Sequence, residues 1–188
     1  MTSLILASAS PRRRELLEQA GIEYIVDPAG IDESEVPGET PEQHVVRLAL
    51  AKAFAVALKY GEGLVLGADT VVVVDGEILG KPVDAEDAAR MLKSLSGRTH
   101  TVLTGIALVD AKGGSARSAV ESTEVVFSGM SDKDIEDYIN TGEPMDKAGA
   151  YGIQGRAAIF VEKVEGCFFN VVGLPLSRLQ RLLKEFPA

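Results

Sequence analysis

The sequence predicts an α/β fold built on a mixed β-sheet. Three observations lead there. Short apolar runs that suit buried strands alternate with segments of helical period. The apolar run Leu64–Val74 is followed at once by Asp75-Gly76, a two-residue hairpin signal, so antiparallel pairing accompanies the crossovers. The stretch "LILASASPRRREL", residues 4–16, joins a strand to a helix through a tight turn of small residues. The chain has 188 residues, 46% hydrophobic and 25% charged, enough for one domain or two closely joined lobes.

Leu4–Ala7 reads as the first strand. Pro11 suits a first helical turn and Ser10 its N-cap, so a helix runs from Pro11 to Ala20 and closes at Gly21. Glu23–Val26 is a second short strand, and the acidic, Pro- and Gly-rich residues 27–40 are a loop. Thr40 caps a long helix from Pro41 to about Tyr60. Leu64–Val74 is a buried strand, with Glu77–Leu79 returning beside it. Asp84–Leu95 is a helix stopped near Gly97. Arg98–Asp110 and Ser115–Phe127 are long strands joined by "AKGG". Ser131 caps a helix over Asp132–Thr141, and "EPMDKAGAYGIQG" follows as a loop. Ala157–Val164 and Cys167–Val171 read as a further hairpin, and Leu174–Phe186 as a terminal helix.

Charge and composition narrow the function. Nineteen Lys and Arg against 28 Asp and Glu give a formal net charge of −9, which argues against nucleic-acid and membrane partners. A single cysteine, Cys167, excludes an internal disulfide and a cysteine-based zinc site. The two histidines, His44 and His100, lie far apart in sequence and argue against a histidine-rich metal site. The N-terminus lacks the shape of a signal peptide, and no apolar run reaches membrane-spanning length, so a cytoplasmic location is expected.

Against that acidic background, the basic residues stand out. Arg12, Arg13 and Arg14 occupy a first helical turn, the end where the helix dipole already disfavours cations. An anion facing the free N–H groups and guanidiniums resolves the conflict, and phosphate is the natural candidate. A solvated basic turn is the structural alternative, and Arg14 rotates off toward the surface. On the helix from Pro41, Val45, Leu48, Ala49 and Val56 form an apolar stripe, and Lys52 falls on it. Such a lysine snorkels outward or reaches a buried anion.

Asp69 interrupts "LVLGADTVVVV", a strand apolar on both faces. An unpaired carboxylate there costs at least several kcal/mol, so Asp69 must be paired, protonated or metal-bound. Gly67 and Ala68 clear space beside it, and Glu33 in the acidic loop is a second candidate ligand for metal or water. A structural salt bridge for Asp69 and a solvated acid for Glu33 are the plain alternatives. Lys81 sits in "GKP" after the hairpin, and Gln154 lies in a glycine loop where its amide suits reading a base edge. Walker A and G-x-G-x-x-G motifs are missing, and no serine sits in a nucleophile elbow. Arginines, lysines and a buried acid suit a metal-bound polyphosphate.

The segments "LILASASPRRREL", "LALAKA", "GADTVV", "GKP", "LSGRTHTVLTG", "DKAGAYGIQG" and "VVGLPL" stand in order over nearly the whole chain. Together they resemble the Maf family, the septum-formation-inhibitor-like nucleotide pyrophosphatases. The resemblance implies a single domain over residues 1–188, with a fold like that of the house-cleaning inosine triphosphate pyrophosphatases: an elongated mixed sheet flanked by helices, in two lobes around a cleft. It implies a cytoplasmic homodimer that hydrolyses nucleoside triphosphates to monophosphate and pyrophosphate with a divalent cation, Mg²⁺ or Mn²⁺. The "KAGAYGIQG" form is similar to that of the dTTP/UTP subgroup.

By the same resemblance, Asp69 is the proton acceptor, and Ser8, Arg12, Arg13, Lys52 and Lys81 bind the polyphosphate. Glu33 joins Asp69 at the metal, and Arg12, Thr70 and Gln154 govern substrate choice. Ala9 replaces a frequent glycine, and "IDE" is one of several variants in the acidic loop. A non-catalytic nucleotide-binding regulator of septum formation and a nucleotidyltransferase are the rival readings. The intact Asp69, Lys52 and Lys81 argue against the regulator, and free pyrophosphate without an acceptor product separates hydrolysis from transfer.

Overall fold

The computed structural model describes residues 4–186. Residues 1–3 and 187–188 of the expected 1–188 domain lie outside the described residues. The elements follow in the order β1 (Leu4–Leu6), α1 (Pro11–Gln19), β2 (Tyr24–Val26), α2 (Pro41–Ala57), β3 (Leu64–Val74), β4 (Glu77–Leu79), α3 (Ala85–Leu95), β5 (Thr99–Asp110), β6 (Ala116–Phe127), α4 (Asp132–Ile139), β7 (Val161–Glu165), α5 (Phe168–Val172) and α6 (Leu176–Leu183). Short 3-10 turns at Glu143–Asp146, Ala148–Ala150 and Arg156–Phe160 lie between α4 and β7.

The sheet has the order β2-β1-β3-β5-β6-β7, with β4 also paired to β3. It is mixed, as expected. Strand β1 runs parallel to β2 and to β3, while β3–β4 and β6–β7 are antiparallel. The chain divides into two compact units: residues 4–69, 104–121 and 173–186 form the first, and residues 70–103 and 122–172 form the second.

The first unit is built where α2 meets the strands. Thr40 starts the helix with a capping box, its side chain accepting from the Gln43 N–H while the Gln43 side chain accepts from the Thr40 N–H. The contact surface is made of small residues. Ala49, Ala53, Val56 and Ala57 of α2 pack on Ile5, Ala7, Val65, Ala107 and Val109 of the strands. At two positions even a methyl group is too large. A Cβ on Gly67 would overlap the Ala49 carbonyl oxygen and stand 2.9 Å from the Ala53 nitrogen. A Cβ on Gly105 would overlap the Val45 carbonyl and stand 2.8 Å from the Val46 nitrogen. Helix backbone therefore lies directly on strand backbone. The sequence reading gave the space at Gly67 to Asp69, whereas the structure gives it to α2.

In the second unit, Val72–Val74 pair with β4 through Asp75 and Gly76, whose φ values of 53° and 80° are those a type I′ turn requires. His100 sits at the heart of this unit, only 2% exposed. Its ring meets Phe127 and Tyr151 edge to face at centroid distances of 4.9 and 5.3 Å. Its Nε2 lies 2.8 Å from the Tyr151 hydroxyl, and its Nδ1 is buried with no hydrogen-bond partner among the described residues. Burial pulls the imidazole pKa down to about 4.

The hairpin expected over Ala157–Val164 and Cys167–Val171 is not formed. Residues Arg156–Phe160 make a 3-10 turn, only Val161–Glu165 is strand, and Phe168–Val172 is helix. Gly166, at φ 128°, breaks the chain after β7. Thr123 Oγ1 then accepts from the Cys167 N–H at 3.0 Å, and the buried Asn170 amide donates to the Val102 carbonyl at 2.9 Å and to Thr123 Oγ1 at 3.0 Å. Long-range polar anchoring overrides the strand propensity of "CFFNVV".

Two outcomes follow from these packings. Gly67→Ala is expected to cost roughly 1–3 kcal/mol or more by overpacking, read as a lower urea midpoint. Gly30→Ala, where a Cβ meets nothing within 4 Å, serves as the neutral control. Equal midpoints for the two variants would remove the backbone contact from the account. For His100, the native state holds a neutral ring while the unfolded chain binds a proton below about pH 6.5. Stability should therefore fall as pH drops through 6.5 and level off below about 4. Between pH 7.5 and pH 5 the loss from this group is roughly 2 kcal/mol. Urea midpoints at the two pH values should differ less in His100→Gln than in the wild type.

Candidate active site

The start of α1 differs from the starts of α2 and α4. Thr40 and Ser131 cap α2 and α4 with their side chains, but Ser10, at φ −60° and ψ 118°, makes no side-chain cap bond. No acidic residue occupies the first turn of α1 either. The three arginines separate by exposure: Arg12 is half-buried, Arg13 buried and Arg14 exposed. Arg13 turns inward. Its Nε donates to the Gly173 carbonyl at 2.9 Å and its Nη1 to Ser8 Oγ at 2.9 Å. Burial pulls the Arg13 pKa below its ordinary value; the Asp69 carboxylate opposes this, Arg12 adds to the lowering and Glu33 opposes it. Ser8 Oγ accepts from Arg13 and from the Ser10 N–H at 3.3 Å, so its own O–H is left to donate.

Lys52 does not snorkel. Its ammonium donates to Asp69 Oδ1 at 2.8 Å and lies 3.0 Å from Glu33 Oε1. The side chains of Lys52 and Asp69 are 9% and 10% exposed, that of Glu33 54%. The packing of α2 explains the pair. Gly67 and Asp69 share one face of β3, because side chains alternate along a strand. Ala49, whose carbonyl presses on Gly67, stands three residues before Lys52 on the same face of the helix. Seating the helix on Gly67 thus brings the lysine over the aspartate.

Glu33 belongs to the loop before α2, and that loop is tied down by a residue the sequence reading passed over. Arg47 donates to the Ser34 carbonyl at 3.1 Å and grips Glu39 through Nε at 2.7 Å and Nη2 at 2.8 Å. Its partners lie in an irregular loop, so no periodicity marked it in advance.

The first unit therefore brings together Ser8 with Arg13, and Lys52 with Asp69 and Glu33. The charges of Asp69, Arg12 and Glu33 all reach Arg13. The second unit carries Thr70, Lys81 and Gln154. Thr70 is half-buried and projects to the opposite side of β3 from Asp69. Lys81 is exposed, and the backbone beside it is fixed by a bond from the Gly149 N–H to the Gly80 carbonyl at 3.0 Å. Gln154 is exposed at the third position of a turn closed by the Gly155 N–H on the Gly152 carbonyl at 3.0 Å.

Among the described residues, no group of three or more His, Cys, Asp or Glu side chains is arranged to hold a metal. Asp69 and Glu33, gathered on one ammonium, offer hard oxygen donors from two directions. That set suits a cation such as Mg²⁺, which takes one or two carboxylates and fills its shell with water and substrate phosphate.

Known proteins match the chain over nearly its whole length. The family profile described as "Maf-like protein" matches residues 3–186. The dTTP/UTP pyrophosphatase of Geobacillus sp. (strain WCH70) is 55% identical over 185 residues, covering 98% of each chain. That of Symbiobacterium thermophilum is 54% identical over 186 residues, 99% of this chain and 95% of its own. That of Pelotomaculum thermopropionicum is 52% identical over 186 residues, 99% of this chain and 97% of its own.

The buried pair generates a stability test. Lys52→Met strands the Asp69 carboxylate and should cost about 3 kcal/mol at neutral pH. Lys52→Met combined with Asp69→Asn should recover more than half of that loss in urea denaturation. A double variant no more stable than the single one would mean that the charge left behind is not the source of the cost.

Proposed function

The chain belongs to the Maf family, and we propose that it hydrolyses dTTP and UTP, with modified pyrimidine nucleotides, to the nucleoside monophosphate and pyrophosphate. The observation that carries this reading is the buried Lys52 ammonium between Asp69 and Glu33, close in charge to Arg13 at a helix start left without a side-chain cap. Cations alone suffice to bind a triphosphate. A buried carboxylate beside them is a handicap for a pure binder and a tool for a hydrolase. Relatives of more than half identity carry the name dTTP/UTP pyrophosphatase.

In this reading Asp69 accepts the proton of the water that attacks the α-phosphorus. The bond from that phosphorus to the bridging oxygen breaks, and pyrophosphate leaves. Lys52 fixes the orientation of the Asp69 carboxylate through Oδ1. Arg12, Arg13, Lys52 and Lys81 offset the charge that gathers on the departing pyrophosphate, and the Ser8 hydroxyl donates to a phosphate oxygen. A divalent cation, Mg²⁺ or Mn²⁺, held by Asp69 and Glu33 supplies polarisation of the phosphate oxygens. Thr70 and Gln154, in the second unit, are assigned to the choice of base.

The reading extends to a cytoplasmic homodimer that binds neither nucleic acid nor membrane, with a house-cleaning role and a part in cell-division arrest. The net charge of −9 supports the lack of nucleic-acid and membrane partners. Among the described residues, no helix is long and apolar enough to cross a membrane.

With Mg²⁺ or Mn²⁺, the protein should release pyrophosphate from dTTP and UTP far faster than from ATP or GTP, and a chelator should stop it. Asp69→Asn should lower kcat roughly a hundredfold to ten-thousandfold while leaving the far-UV circular dichroism unchanged. Release of orthophosphate in place of pyrophosphate would overturn attack at the α-phosphorus.

A further inference from the structure

The loop that carries Gln154 is held from below by groups that no part of the mechanism uses. Tyr138 lies on α4 and is 3% exposed. Its hydroxyl donates to Glu143 Oε1 at 2.8 Å and accepts from the Gly152 N–H at 3.2 Å. The other Glu143 oxygen, Oε2, accepts from the Arg156 N–H at 3.0 Å. One Tyr–Glu pair thus grips the chain two residues before Gln154 and two residues after it. Glu143 is itself fixed, since its N–H donates to Thr141 Oγ1 at 3.1 Å and Thr141 donates to the Tyr138 carbonyl at 2.6 Å. Burial, followed by the bond to Glu143, raises the Tyr138 pKa above its ordinary value, so the phenol stays a donor.

The glycines of "GIQG" report the same arrangement. A Cβ on Gly155 would overlap the Glu143 carboxylate, and one on Gly152 would stand 2.6 Å from Lys147 Cε. Neither glycine has a positive φ among the described residues. Both are glycine because protein side chains press on the backbone there. Lys147 is held in turn, donating to the Glu143 carbonyl at 2.7 Å and to Asp146 Oδ1 at 2.6 Å. Between the two pinned glycines, Ile153 is buried and Gln154 is exposed. Gln154 therefore carries the one side chain of this four-residue turn that faces solvent or a ligand.

We propose that Tyr138, Glu143 and Lys147 are positioning residues that fix the height and direction of the Gln154 amide, and thereby set the preference for a pyrimidine. The inference rests on the assignment of base recognition to Gln154. An amide reads a donor–acceptor edge only where its own geometry is held, and a misplacement of about 1 Å is enough to cost a hundredfold in rate. Tyr138→Phe removes one donor and one acceptor while keeping the ring. Glu143→Gln keeps the shape but turns one acceptor into a donor that faces a second donor.

The test is kcat/KM for dTTP and for GTP, by pyrophosphate release, in the wild type, Tyr138→Phe, Glu143→Gln, Gln154→Ala and the Tyr138→Phe/Gln154→Ala double variant. Tyr138→Phe and Glu143→Gln should each raise KM for dTTP roughly tenfold or more, with a smaller change in kcat, and should lower the dTTP/GTP ratio. In the Gln154→Ala background, Tyr138→Phe should lower that ratio no further, because it acts through Gln154. Where Glu143→Gln folds poorly, Tyr138→Phe decides. If Gln154→Ala lowers the ratio and Tyr138→Phe leaves it at the wild-type value, the base assignment stands and this proposal is overturned. A second, equal drop in the double variant overturns it too. If Gln154→Ala itself keeps the wild-type ratio, the base assignment fails and the proposal falls with it.

Discussion

Helix α2 rests on the sheet with main chain against main chain at Gly67 and Gly105, and the charged groups of the first unit take their places from that contact. A side chain at either position would lift the helix. Lys52 would then no longer meet Asp69 at hydrogen-bond distance, and Arg47 would no longer hold the loop that brings Glu33 to the same ammonium. The alanines at 49 and 53 matter as much as the glycines, because they keep the seam thin along the turn of helix that carries the lysine.

The group assembled this way is not a stabilising device. Burying each ion carries a desolvation cost of several kcal/mol, and an apolar pair of similar volume often does as well or better. Arg13 is buried next to a second arginine and spends two of its donors on Gly173 and Ser8. The start of α1, meanwhile, lacks the side-chain cap that α2 and α4 both have. Several local rules are broken in one neighbourhood, which is where function is expected to lie.

Much of this was legible in the sequence. The bounds of β3 and β4 and the turn between them follow from apolar runs and an Asp-Gly pair, because those signals are local. Lys52 and Asp69 were visible as polar residues at positions that periodicity assigns to the interior. Their pairing with each other was not, since a pattern tells which face is buried and not which neighbour covers it. Three other features stayed hidden for the same reason. Gly67 is small for the sake of a helix, Gly155 for the sake of Glu143, and Phe168–Val172 turns helical around Thr123 and Asn170. Each answer depends on a partner distant in the chain. Arg13 shows a further limit: spacing placed it at the helix start beside Arg12, but nothing local indicated that its guanidinium would reach the Gly173 carbonyl.

Alanine and glycine have no side-chain rotamers to lose or exchange. Where α2 lies on Gly67 and Gly105, backbone meets backbone and the seam has almost no soft degrees of freedom, so the helix cannot slide or roll there by repacking. The spacing between the ammonium and the acid should accordingly hold up to the temperature at which the unit itself melts, with no gradual loosening beforehand. The same stiffness limits how the protein can vary. A substitution at Gly67 or Gly105 meets helix backbone and no side chain that can shift to absorb it, so new chemistry has to be tried elsewhere, in residues 27–40 and in the turns between α4 and β7, where the chain bends without disturbing the seat of the helix.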